Sequence, residues 1–242
     1  MSIAPEMKTS LLEELWIPIA IRGGKLLYPR YRNKKMKTLT LTYDRNFKEI
    51  EMLEEKNLTS KELVTAWAPT HVIQFRLETE LGPATITGSS RYEDSIAHRN
   101  FKIKNLFPFD IINLDFTSQN PNFELGRVEK EIASLELTIK LQADLENEGF
   151  VLVYTTILNS KDIHYSQILE SSHRIQTSRF LNIDETTFSS TIIDQSEKIS
   201  CLEQIFEEIC SKYYARISYE KIVRPLSGHN LNLCSFAGIL RS

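Results

Sequence analysis

Two apolar runs of strand length, Phe109–Phe116 (FDIINLDF) and Phe150–Leu158 (FVLVYTTIL), flank one long amphipathic stretch, Glu129–Glu148. Val128, Ile132, Leu135, Ile139 and Leu145 recur along one stripe of it at helical spacing, and Gly149 stands where such a helix would close. Strand, long helix, glycine, strand is the pattern of a βαβ crossover, whose two strands lie parallel in one sheet. Both runs are apolar on both faces, as in the central strands of a covered parallel sheet.

The same alternation extends in both directions. Thr38–Tyr43 reads as a strand, Asn46–Asn57 as a helix with Phe47, Ile50 and Leu53 on one face, and Leu63–Ala68 as a second strand. Thr70–Leu81 reads as a helix stopped by Gly82-Pro83, and Ala84–Thr87 as a third short strand. After the crossover, Ser160–Ser190 is polar and reads as loop with some helix, and Glu197–Ser211 as a helix. Arg216–Val223 and Leu231–Leu240 are strands whose short connection makes them an antiparallel hairpin. Residues 6–16 predict a short amphipathic helix, a lid or edge element, and Pro18 and Pro29 keep the following stretch from being one long helix. The expected fold is α/β, a three-layer sandwich with a mostly parallel sheet ending in an antiparallel hairpin. It occupies residues 37–242, with an N-terminal helix and basic loop over residues 1–36.

Composition narrows the function classes. The 242 residues are 41% hydrophobic, enough for a sizeable core, and a formal charge of −3 argues against a surface coated in positive potential. No window approaches the apolar length of a membrane span, and the acidic N-terminal stretch is unlike a signal peptide. Cys201, Cys210 and Cys234 are an odd number without metal-type pairing and read as reduced thiols of a cytosolic (cytoplasmic) protein, with Cys201 and Cys210 packed in the core. None of the five histidines forms an i, i+4 pair or a Cys/His ligand spacing, so no metal site is expected. The eight glycines are the most exclusive feature, because no two are separated by a single residue. A dinucleotide fingerprint is therefore absent, and Gly23-Gly24-Lys25 lacks the upstream glycine and following Ser or Thr of a phosphate loop.

Two features carry functional expectations of their own. Asp115 ends an apolar strand at its carboxyl edge, where open α/β sheets place ligands. Its carboxylate could serve as a base or an acceptor orienting a substrate amine or hydroxyl, or could simply accept hydrogen bonds from the loop that follows. Asp110, at the start of the same strand, reads as a solvent-exposed turn residue. Seven of the 29 basic residues fall in one segment, Arg22, Lys25, Arg30, Arg32, Lys34, Lys35 and Lys37, with Tyr28 and Tyr31 interleaved. The segment could clamp a phosphate backbone while the tyrosines stack on unpaired bases. Equally, it could be a solvated loop whose charge balances the acidic helix Glu49–Glu55.

Five βα steps followed by a C-terminal hairpin resemble the class I S-adenosylmethionine-dependent methyltransferases, over Lys37 to Leu240. In that family a glycine-rich turn follows the first strand; here the stretch is Tyr43-Asp44-Arg45-Asn46, where Asp44 would contribute to cofactor binding. Where the family grips the ribose with an acid, this chain has Trp67-Ala68-Pro69. Glu93 or Asp94 in SSRYED matches the acid that contacts the adenine, and Asp115 in NLDF matches the substrate-proximal position, without the paired prolines of amino-methylating enzymes. The resemblance implies methyl transfer from S-adenosylmethionine to nucleic acid or a nucleotide-like substrate. In it Asp115 positions the acceptor, Asp94 touches the adenine and the Arg22–Lys37 segment holds phosphate. The missing glycine turn and ribose acid imply an alternative, a pseudoenzyme serving as a non-catalytic binding subunit of a multi-protein assembly. Ser160–Ser190 is then a candidate partner-binding loop.

Overall fold

The computed structural model describes residues 5–29, 34–41, 48–68, 71–82, 84–88, 91–97, 105–117, 127–145, 148–159, 195–226 and 231–242. Seven strands make one sheet: β1 (Thr38–Leu41), β2 (Val64–Ala68), β3 (Thr85–Gly88), β4 (Ile111–Asp115), β5 (Gly149–Asn159), β6 (Arg216–Leu226) and β7 (Leu231–Arg241). Their spatial order is β3-β2-β1-β4-β5-β7-β6. The first five are parallel, and β7 runs antiparallel to both β5 and β6. The crossover is in place, with Ile111–Asp115 in parallel register with Val151–Thr155.

Helices cover both faces, as the two-sided apolar strands require. One face carries α1 (Pro5–Leu11), a π-helical turn (Leu12–Trp16), α2 (Ile17–Leu27), α3 (Lys48–Glu55) and α4 (His71–Leu81). The other carries α5 (Tyr92–Ala97), α6 (Arg127–Asp144) and α7 (Gln195–Tyr213). The pleat sorts side chains between the two layers. Along β5, Val151, Val153 and Ile157 face α1 and α2, while Phe150, Leu152, Tyr154 and Leu158 face α6 and α7. Gly23 is what lets α2 lie flat on β5, because a Cβ there would sit 2.2 Å from Val151 Cγ2.

The N-terminal segment differs from its expected form. It is helical from Pro5 to Leu27, and it forms part of a covering layer rather than a short edge element. Pro18 does not break it, since proline is tolerated in a helix's first turn and here falls at the start of α2. The preceding π-helical turn closes with the Ile17 N–H donating to the Leu12 carbonyl. Arg22 and Lys25 are consequently helical, and Lys34, Lys35 and Lys37 lie outside any helix or strand, just before β1. Asp44, Arg30, Arg32, Tyr31, the side chain of Asp94 and the stretch Ser160–Ser190 lie outside the described residues. Among the described residues no helix is long and apolar enough to cross a membrane.

Candidate functional site

Asp115 closes β4 at the carboxyl edge of the sheet with 1% of its surface exposed. One carboxylate oxygen, Oδ1, accepts from the Thr117 backbone N–H at 3.1 Å and from the Thr117 hydroxyl at 2.5 Å. The other, Oδ2, lies 3.1 Å from the Nζ of Lys8, which reaches down from α1. That same ammonium lies 3.5 Å from Glu49 Oε2, near the start of α3. Glu49 Oε1 accepts from the Thr40 hydroxyl on β1 at 2.6 Å, and Asn113 Nδ2 donates to Thr40 Oγ1 at 3.3 Å. Lys8, Glu49, Asn113 and Asp115 are all buried. Carboxylates from α3 and β4 thus converge on one buried cation of α1, and Thr40 of β1 holds one of them.

Lys8 and Glu49 escaped the sequence reading although a signal existed. Lys8 precedes Leu11, Leu12 and Leu15 by three, four and seven residues, which puts it on the apolar stripe of its own helix. A lysine there must either snorkel to water or find a buried partner. Glu49 is adjacent to Ile50 and four residues before Leu53, on the stripe that α3 buries.

A second buried polar group sits on the opposite face, at the carboxyl half of β5. Arg127 Nη1 donates to Glu131 Oε1 at 3.0 Å, its Nη2 donates to the Ile157 carbonyl at 2.5 Å, and the Thr156 hydroxyl donates to Glu131 Oε2 at 2.6 Å. Burial raises the Glu131 carboxyl from the ordinary 4.5 to about 7, against the pull of Arg127 and Thr156 and with help from Glu93 and Glu129. Glu93 is itself 5% exposed on α5, close enough for its charge to act on Glu131 of α6.

The described residues of the basic segment lie at the other edge of the sheet. Lys34, Lys35 and Lys37 precede β1, and Asp110 precedes β4, so all four stand at the amino ends of parallel strands. Five residues of β4 separate that edge from Asp115, roughly 15 Å at the usual rise of a strand. Lys34 Nζ sits 3.5 Å from the centre of the Tyr28 ring and 3.7 Å from Asp110 Oδ1. Arg22 pairs with Glu220 of β6, and Lys37 donates to the Leu106 carbonyl at 2.5 Å. Lys25 and Lys35 are exposed. Asp110 is not the solvent-exposed turn residue expected. It accepts from the Tyr28 hydroxyl and, at 2.8 Å, from the Lys37 backbone N–H. Burial and the Asp110 carboxylate hold the Tyr28 phenol above its ordinary range. The structure therefore brings Asp115 together with Lys8 and Glu49, and not with Glu93 or the described residues of the basic segment.

S-adenosylmethionine, implied by the resemblance, needs a grip on its ribose at the end of β2. There Trp67 and Ala68 are 3% and 0% exposed. Gly88 of β3 approaches so closely that a Cβ on it would meet the Ala68 carbonyl oxygen at 2.2 Å. Among the described residues no acid stands at that strand end, and Glu93 is buried on α5. At the end of β2 the described residues offer a ribose no carboxylate.

No family model and no curated protein sequence matches the chain. Among solved structures it is similar to the methyltransferase domain of bacterial CtHen1, with 11% identity, TM-score 0.42, 92% of this chain and 98% of that one covered. It is similar to the M. jannaschii TYW2 structure with AdoMet at 10% identity, TM-score 0.41, with 93% and 76% covered. It is also similar to the plantazolicin methyltransferase BamL in complex with a triazolic desmethylPZN analog and SAH, at 11% identity, TM-score 0.43, with 96% and 86% covered. At such identities the likeness concerns the fold alone. By its sheet order β3-β2-β1-β4-β5-β7-β6, with β7 the antiparallel strand, this chain has a class I methyltransferase-like α/β fold.

Proposed function

We propose that this chain is a non-catalytic binding protein built on the methyltransferase-like fold. The observation that carries the reading is the state of Asp115. A base or acceptor that orients an incoming hydroxyl or amine must keep an oxygen open to it. Here Thr117 engages one oxygen, and the other is buried with the Lys8 ammonium 3.1 Å away and no hydrogen bond of its own, so neither oxygen stands open to an incoming group. The hydrocarbon end of β2, where a ribose acid would be needed, supports the same conclusion. In this reading the Lys8–Asp115–Glu49 cluster latches the N-terminal helices onto the sheet, and binding surfaces elsewhere serve a nucleic acid or a protein partner.

A second reading keeps catalysis. Asp115 stands at the carboxyl edge favoured for ligands, and withdrawal of Lys8 would release one of its oxygens to an acceptor on a nucleotide-like substrate. Calorimetric titration of the intact chain with S-adenosylmethionine and its demethylated product separates the two. The binding reading expects no heat from either molecule, for the natural chain and for Lys8→Ala alike. Micromolar affinity for S-adenosylmethionine would replace it with the enzyme reading.

A further inference from the structure

At the edge of the sheet opposite Asp115, a cleft of about 530 Å³ opens where β5 and β6 begin and β7 ends. That volume lies within the range of small-molecule sites. Arg216 and Arg241 are direct cross-strand partners at the end of the β6–β7 ladder, so their side chains leave the sheet on the same face. Both line the cleft. Like charges placed opposite one another repel, and neither guanidinium has a hydrogen-bond or ion-pair partner among the described residues. An anion lodged between them would relieve that repulsion.

The other walls give the ligand its shape. Tyr214 is 3% exposed, its ring packs edge-on against Phe150 at 5.4 Å, and its hydroxyl is buried without a hydrogen-bond partner. A phenol in that position is a donor in search of an acceptor. Leu26, a large side chain left 48% exposed, and Leu27 form an apolar wall at the end of α2. Glu148 supplies a carboxylate at the rim, whose charge also reaches the Tyr28 phenol. The arginine pair, Glu148 and the apolar wall suit a ligand with a single phosphate, a hydroxyl or amine for Glu148, and a flat body against the leucines. A polyanion would meet Glu148 unfavourably.

We propose that this cleft binds a phosphate monoester carried on a ring-bearing small molecule, of the nucleoside monophosphate class, with Arg216 and Arg241 on the phosphate. The site is independent of whether the carboxyl edge transfers methyl groups.

The probe is adenosine monophosphate, titrated calorimetrically into the intact chain beside adenosine, inorganic phosphate and a short single-stranded oligonucleotide. Adenosine monophosphate should bind at least tenfold more tightly than adenosine or phosphate. Arg216→Gln and Arg241→Gln should each weaken it at least tenfold, with melting temperatures of the arginine variants no lower than that of the natural chain. Lys8→Ala should leave the affinity as it was, which separates this site from the latch. No binding at millimolar monophosphate, equal affinity for adenosine, unaltered affinity in both arginine variants, phosphate as tight as the nucleotide, or binding of the oligonucleotide alone would each overturn the proposal.

Discussion

The Lys8 ammonium lies 3.1 Å from the Asp115 carboxylate, and both side chains are more than nine-tenths buried. Removing one partner of a buried pair leaves the other uncompensated, at a cost of about 3–5 kcal/mol. Lys8→Ala is worse than a simple loss, because Glu49 and Asp115 then share a pocket with no cation between them. Urea unfolding should show that variant destabilised by about 3 kcal/mol or more, and Lys8→Met with Asp115→Asn less destabilised than the sum of the two singles. A Lys8→Ala protein within experimental error of the natural chain would mean that the latch holds nothing.

Glu131 makes stability depend on pH in the direction opposite to an ordinary salt-bridged acid. Its carboxyl is raised to about 7 in the folded chain, so between pH 4.5 and 7 the unfolded chain has released a proton that the folded chain still holds. Stability therefore falls as pH rises through that window, by about 3 kcal/mol for this group, and the penalty is complete above it. Glu131→Gln removes the dependence while keeping an acceptor for Thr156. The difference in unfolding free energy between the two proteins, measured from pH 4.5 to 8, should swing toward Glu131→Gln as pH rises. A difference that stays flat would mean that Glu131 does not titrate in this range.

At Gly23 two effects of opposite sign compete. Alanine is the better helix residue by about 1 kcal/mol. Its Cβ, however, would stand 2.2 Å from Val151 Cγ2, between α2 and the central strand β5. Overpacking of that kind costs about 1–3 kcal/mol, so the clash wins. Gly23→Ala should lower the melting temperature, and Val151→Ala placed beside it should recover part of the loss. If the single substitution stabilises the protein, α2 has room to lift from the sheet.

The parts of the fold legible in the sequence are those where one segment states its own environment. Residues 109–158 carry two-sided apolar strands around a one-sided helix, and that contrast alone fixes a covered parallel pair. The hairpin of β6 and β7 was legible for a similar reason, from two strand-like runs with too short a connection for a crossover. The N-terminus was harder, because Pro18 carries two meanings. It breaks a helix that has already begun but fits one that is beginning, and the π-helical turn at Leu12–Trp16 lets α2 begin there.

The candidate site was legible only at Asp115, whose place at a strand end is a local property. Its partners come from α1 and α3, 107 and 66 residues earlier in the chain, and no local spacing announces such a meeting. What the sequence does offer is a charge on a stripe that must be buried, as at Lys8, Glu49 and Glu131. Such a residue demands a partner without naming it.

The cysteines give a last test, of burial rather than of chemistry. Burial lifts the half-buried Cys201 thiol from 9.0 to about 11, with the Glu208 carboxylate adding to the shift, and lifts Cys234 to about 12. Cys210 is buried and is raised as well. Only the thiolate attacks a disulfide reagent, so the rise at Cys201 cuts its reactive fraction near neutral pH by about a hundredfold. Reaction with a chromogenic disulfide at pH 7.5 should be about a hundredfold slower for Cys201 in the folded chain than in denaturant. Cys210 and Cys234 should react only as fast as the sheet and α7 open. An immediate reaction of one thiol in the folded chain would place a thiolate in a cationic, open setting, and would make that cysteine a reactive group rather than a packing residue.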